Sequence, residues 1–167
     1  MEKIDILRRT DIFFDLTRTQ LEMLAAICEE RSVRLGEIVF EENTPGSEMY
    51  IIARGAVEIL LDPSMVGGSG AGQRGTGPVT ITTLRAGQTF GEISLVDQGL
   101  RTASARCAEP DTQLLMVPPQ KFMQLCDAYP ELGYRVMRNI AADLAFKIRG
   151  SDLAIREQLL WRPRSNG

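Results

Sequence analysis

Apolar positions change their period twice along this chain of 167 residues. From Ile4 to Glu30 they recur at spacings near three and four, through Ile6, Phe13, Phe14, Leu16, Leu21, Leu24, Ala25 and Ile27. That spacing predicts helix. Thr19 and Glu22 have the residue types and separation of a capping box. From Arg31 to about Val117 the apolar runs are short. They fall at Val33–Leu35, Glu37–Phe40, Met49–Ala53, Ala56–Leu61, Thr80–Leu84, Thr102–Cys107 and Gln113–Val117, cut by Gly, Pro and Asn. This rhythm predicts an antiparallel barrel or jelly roll. After Pro118-Pro119 the helical period returns, first over Gln120–Tyr129 and then over Glu131–Trp161. Pro130 suits the first turn of the second helix, and Gly150-Ser151 marks an expected bend. Leu132, Val136, Met137, Ile140, Leu144 and Ile148 form a stripe that continues less regularly through Leu153, Leu159 and Leu160. Such a stripe packs on the roll or pairs with a second chain.

The expected fold is α+β and mainly β. An antiparallel β-roll (a jelly-roll-like double-stranded β-helix) over about 31–118 follows an N-terminal helical segment. It precedes two C-terminal helices, the last one long. Asp62–Pro78 carries six glycines and reads as a flexible loop joining two strands. It lacks the GxxxxGK[ST] pattern, and no helix follows, so it is not read as a phosphate loop.

Charge and composition narrow the function. A net charge of −3 argues against a surface built for nucleic acid or anionic membrane. No apolar run approaches the roughly 20 residues of a membrane span, and the N-terminus lacks a signal-peptide core. Cys28, Cys107 and Cys126 are far apart and read as reduced thiols of a cytoplasmic protein. The chain has no histidine. That removes Ser-His and Cys-His pairs and His-based zinc sites, and no CxxC spacing supplies a metal site instead. No catalysis, metal or cofactor is expected.

The segment Phe90–Ala105 carries the chemistry. Gly91 lets a backbone approach a ligand closely. The N–H groups of Glu92, Ile93 and Ser94 open the next turn and can face an anion. Nine residues after Glu92 stands Arg101, a fixed cation with a planar fork of donors. Glu92 is an acceptor suited to a hydroxyl. Anion and hydroxyl together suggest a sugar phosphate or a nucleotide.

This segment and its setting resemble the cyclic-nucleotide-binding domain family. Phe90-Gly91-Glu92, the eight residues ISLVDQGL and then Arg101-Thr102-Ala103-Ser104 match the family's phosphate-binding cassette without a gap. Ser47–Leu60 resembles its xxMYxIxxGxVxV hairpin, and Leu84–Glu92 its LxxGxxFGE lead-in. The likeness covers about Leu7–Ile148. It implies that Arg101 pairs with the cyclic phosphate and that Glu92 accepts from the ribose 2′-hydroxyl. The backbone around Gly91, Ile93 and Ser94, with Thr102 and Ala103, would complete the phosphate and ribose contacts, with Ile59 and Ile81 as walls of the base pocket and Phe90 also among the ligand-binding residues. Strict strand alternation would put Arg101 and Thr102 on opposite faces. Either the strand bulges there or Thr102 works through its N–H.

The base is open. Some bacterial regulators of the family read adenine with a Thr-Ser pair on the long helix, where this chain has Lys147 and Ile148. Asp143 stands where an arginine often lies near the ligand. Arg101-Thr102-Ala103 is similar to the triplet of cyclic-GMP-dependent kinases and nucleotide-gated channels. Cyclic AMP is preferred on family frequency, and cyclic GMP stays open. Residues 1–149 would form the binding domain, with a lid or dimer helix from about 130. Residues 150–167 would be an extension too short for a helix-turn-helix unit, so no direct DNA binding is expected. The reading is a stand-alone, cytoplasmic sensor module that forms a homodimer through its long helix and acts on an unknown effector. The alternative is a β-roll assembly module with a vestigial pocket.

Overall fold

The structure is a computed structural model, and it describes residues 2–63 and 77–160. Most of the Gly-rich segment 62–78, and the end of the chain from Trp161, lie outside the described residues. The first elements are α1 (Lys3–Arg8), a 3₁₀ turn (Asp11–Phe13) and α2 (Arg18–Ile27). The helical segment expected over Ile4–Glu30 is thus two helices joined through a 3₁₀ turn. Asp15 takes φ of 63°, a left-handed conformation that cannot continue a right-handed helix. The capping box lies two residues earlier than expected. Thr17 accepts from the Gln20 N–H, and Gln20 Oε1 accepts from the Thr17 N–H. Thr19 lies inside the helix.

The strands are β1 (Glu29–Val33), β2 (Ile38–Phe40), β3 (Met49–Arg54), β4 (Ala56–Leu61), β5 (Val79–Arg85), β6 (Thr89–Phe90), β7 (Ser104–Cys107) and β8 (Thr112–Val117). Between β6 and β7 lies α3 (Glu92–Asp97). After β8 come α4 (Pro119–Ala128) and α5 (Pro130–Leu160). Among the described residues the strands form two four-stranded sheets, ordered β1-β8-β3-β6 and β2-β7-β4-β5. Every pairing is antiparallel. The chain adopts the β-roll fold with flanking helices.

β3 explains how the layers stack. Its Met49-Tyr50-Ile51-Ile52 run is buried throughout, so the strand has no solvent face. Alternation sends Tyr50 and Ile52 into the roll, against Val39, Val57, Phe90, Ala105 and Leu114. Met49 and Ile51 face outward into a second core with Leu7, Phe13, Leu24, Phe122, Leu132, Val136 and Ile140. The helices thus cover the outer face of one sheet, and the first half of α5 belongs to that core. Each fully buried Leu or Ile there contributes about 1.5–3 kcal/mol of transfer free energy. α5 is one continuous helix across Gly150-Ser151.

Candidate functional site

One cleft opens between the β4–β5 face, the cassette and α5. It is lined by Phe40, Ile59, Thr82, Leu84, Thr89, Phe90, Gly91, Glu92, Ile93, Ser94, Arg101, Thr102, Ala103 and Lys147. The roll brings together nine of the ten expected site residues. Ile81 is the exception. β5 alternation turns Thr82 and Leu84 to the cleft and leaves Ile81 on the solvent side, 55% exposed.

The cassette is built on one glycine. Gly91 caps α3 with φ of 82°. A Cβ there would stand 2.8 Å from the Glu48 carbonyl oxygen and 2.9 Å from Arg101 Nη1. Position 91 therefore needs both the left-handed conformation and the missing side chain. The close approach lets the chain pass against β3 and start α3 at the mouth of the cleft.

Arg101 is held at both ends. Its N–H donates to the Thr44 carbonyl at 2.9 Å, and its carbonyl accepts from the Asn43 N–H at 2.8 Å. β7 begins only at Ser104, so Leu100–Ala103 is irregular. The alternation problem disappears for that reason, since Arg101 and Thr102 need not obey a strand's period. Both line the cleft. The Arg101 side chain is 2% exposed. Its Nη2 donates to Glu48 Oε2 at 3.0 Å, and its guanidinium carbon lies 4.1 Å from the Phe40 ring centroid. Burying such a cation costs several kcal/mol unless partners offset it. Cation–π attraction returns about 0.5–2 kcal/mol. Burial lowers the Arg101 pKa, and Glu48 opposes that fall. The group stays a cation near neutral pH, because arginine starts far above it. Its Nε is buried with no hydrogen-bond partner. A buried donor in that state calls for a partner.

Glu92 complements it. It is buried, and Oε1 accepts from Lys147 Nζ at 2.9 Å. Oε2 is buried with no partner. Lys147 also lies 2.8 Å from Asp143 Oδ2, one helical turn back, as an ion pair rather than a directed hydrogen bond. Burial opposes the charge on Lys147, yet Asp143 and Glu92 together hold its pKa above the ordinary lysine value. The cleft therefore offers a fixed cation, a carboxylate acceptor and apolar walls from Phe40, Ile59, Leu84 and Phe90.

Sequence reasoning missed Phe40, Glu48, Thr82, Leu84 and Thr89, and it gave Lys147 no role in the site. Phe40 and Glu48 precede Arg101 by some fifty or sixty residues, so no local pattern links them. Thr82 and Leu84 were legible from the period of β5, had its register been assigned from Ile81 correctly.

Residues 30–129 match the family of the cyclic nucleotide-binding domain, and the chain belongs to that family. The Cyclic AMP receptor protein of Thermus thermophilus is 28% identical over 149 residues, which are 89% of this chain and 62% of that protein. The cGMP-dependent protein kinase 2 of Homo sapiens is 26% identical over 128 residues, 77% of this chain and 16% of the kinase. The solved structure of the Thermus thermophilus Catabolite Activator Protein superposes with a TM-score of 0.73 at 28% identity. That match covers 89% of this chain and 63% of the other. The chain spans less than two thirds of the length of these relatives. Among the described residues no helix is long and apolar enough to cross a membrane.

Proposed function

We propose that the cleft binds a cyclic nucleotide and that occupancy is transmitted through α5. The observation that carries this reading is the pairing of two buried, incompletely satisfied groups in one cleft. Arg101 has an unpartnered Nε and a guanidinium fork, and Glu92 has an unpartnered Oε2. A cyclic phosphate satisfies the first and a ribose hydroxyl the second. Gly91, Ile93, Ser94, Thr102 and Ala103 then surround the sugar phosphate, and Ile59, Leu84 and Phe40 flank the base. Two relatives are named for cyclic AMP and cyclic GMP, which supports the ligand class and leaves the base between the two. Cyclic AMP is the preferred ligand in this reading. The role is binding and regulation, not catalysis.

The distal half of α5 would act as lid and contact surface. Phe146, Ile148 and Leu153 are exposed there, which suits a second copy or an effector. Nucleotide binding shifts the balance between two positions of this segment, which requires a difference in affinity between them. Calorimetry of the purified chain with cyclic AMP and with cyclic GMP tests the reading. Saturable binding of one nucleotide per chain is expected. Absence of binding by both would leave the assembly-module alternative. A chain ending before Ala145 should bind more weakly; unchanged affinity removes the lid.

A further inference from the structure

Up to Ile140, α5 is secured in several ways. Leu132, Val136 and Ile140 are buried. Asn139 Nδ2 donates to the carbonyls of Ile12 and Phe14 at 3.2 and 2.9 Å. Arg135 holds Asp15. Leu144 still packs, partly buried, on the same core, and beyond it the helix changes character: Ala145, Phe146, Ile148 and Arg149 are exposed. Among the described residues, the one side-chain hydrogen bond from this distal half to another element is Lys147 Nζ to Glu92 Oε1. It joins residues 55 positions apart and ends on the cassette.

The two oxygens of Glu92 are in different states. Oε1 is taken by an ammonium and Oε2 has nothing. Glu92 is 93% buried by side chain, whereas Lys147 is 48% exposed at the rim. A charge-assisted hydrogen bond holds a buried carboxylate in one rotamer. Lysine has only donors. Lys147 can therefore hold Glu92 in place, and it cannot replace Glu92 as the acceptor of a hydroxyl. With Asp143 also beside it, its own position is fixed from two sides.

We propose that Lys147 is a positioning residue for the ribose. It clamps Glu92 by Oε1, leaves Oε2 to accept the 2′-hydroxyl, and so couples that hydroxyl to the distal half of α5. This rests on the cyclic-nucleotide reading of the cleft. A ligand without the hydroxyl gains nothing from the clamp.

The test compares cyclic AMP with 2′-deoxy cyclic AMP on the full chain, as wild type, Lys147→Met and Lys147→Arg. The guanine pair is used instead if calorimetry selects cyclic GMP. The wild type should prefer the ribonucleotide. Lys147→Met should weaken the ribonucleotide by about tenfold, the worth of one hydrogen bond to a charged group. It should leave the deoxy compound within about twofold, and Lys147→Arg should restore most of the preference. Lys147 is half-exposed, so both variants are expected to fold, which circular dichroism checks. Equal weakening of both nucleotides overturns the inference, because Lys147 would then act on base, phosphate or packing. Tighter ribonucleotide binding by Lys147→Met also overturns it, since the lysine would be a competitor for Glu92. Unchanged binding of both does the same. If the wild type binds no nucleotide, the functional reading fails first and this inference with it.

Discussion

Replacing Arg101 by alanine separates its two roles, in binding and in the fold. Bound to a phosphate, the guanidinium fork makes charge-assisted hydrogen bonds worth about 1.5–3 kcal/mol each. Two of them give roughly 3–6 kcal/mol. The phosphate must first take the fork from Glu48, which is 41% exposed and regains water when released. An ion pair with such an exposed partner is worth only about 0–1 kcal/mol. The net loss of binding in Arg101→Ala is therefore about 2–6 kcal/mol, or roughly 30-fold to about 20,000-fold in Kd. The fold should lose much less. Removing the side chain leaves no charge buried alone, because Glu48 is hydrated. The cost is packing and the Phe40 contact, about 2 kcal/mol or less. Displacement of a fluorescent cyclic nucleotide reads the first quantity, and urea unfolding without ligand reads the second. Arg101→Lys keeps the charge and loses the fork, so its affinity should fall between the two. An Arg101→Ala chain that folds and binds within about threefold of wild type would refute the reasoning, since the phosphate would then lie elsewhere.

Other outcomes follow from the same geometry. Gly91→Ala should lower stability by about 1–2 kcal/mol from the left-handed backbone alone, with more from the collision with the Glu48 carbonyl. It should weaken binding by at least about tenfold, because the added Cβ meets Arg101 Nη1; urea unfolding and the displacement assay check both. Burial pushes the Cys28 thiol up to about 12, against 9.0 in the open chain. The folded state thus holds its proton more tightly, and stability is full below pH 9 and falls as pH rises toward 12. Raising the pH from 8 to about 10.5 should cost roughly 2 kcal/mol through this one group. Cys28→Ala should flatten that part of the pH profile of urea unfolding; an equally steep profile would contradict the assignment. Cys126, raised to about 11, adds a fall in the same direction that is similar up to about pH 10.5 and levels off earlier.

The roll was largely legible in the chain because its strands are short, apolar and separated by turn residues. Met49–Arg54 and Ala56–Leu61 fall almost where the apolar runs do. β1 was not legible. Glu29 and Glu30 look like the end of a helix, yet they pair with Met116 and Leu115 at the edge of a sheet. An edge strand with exposed side chains carries no alternating pattern to read. The N-terminal break escaped for a similar reason. Periodicity continues across the 3₁₀ turn, since Phe13 stays in the helical core, while Asp15 takes a left-handed conformation that ends the helix. At the site, the residues within Phe90–Ala103 could be read because they are close in sequence. Phe40, Glu48 and Lys147 reach Arg101 and Glu92 only through tertiary packing, and no spacing rule joins them. The one misassigned wall, Ile81, is a matter of strand register, where a shift of one residue exchanges the two faces.

The most direct test is a crystal structure of the chain grown with saturating cyclic AMP or cyclic GMP. The account predicts the cyclic phosphate within hydrogen-bond distance of the Arg101 guanidinium in place of Glu48, the ribose 2′-hydroxyl on Glu92 Oε2, and Lys147 still on Oε1. An empty cleft at saturating nucleotide, or a nucleotide bound with its phosphate away from Arg101, would contradict it.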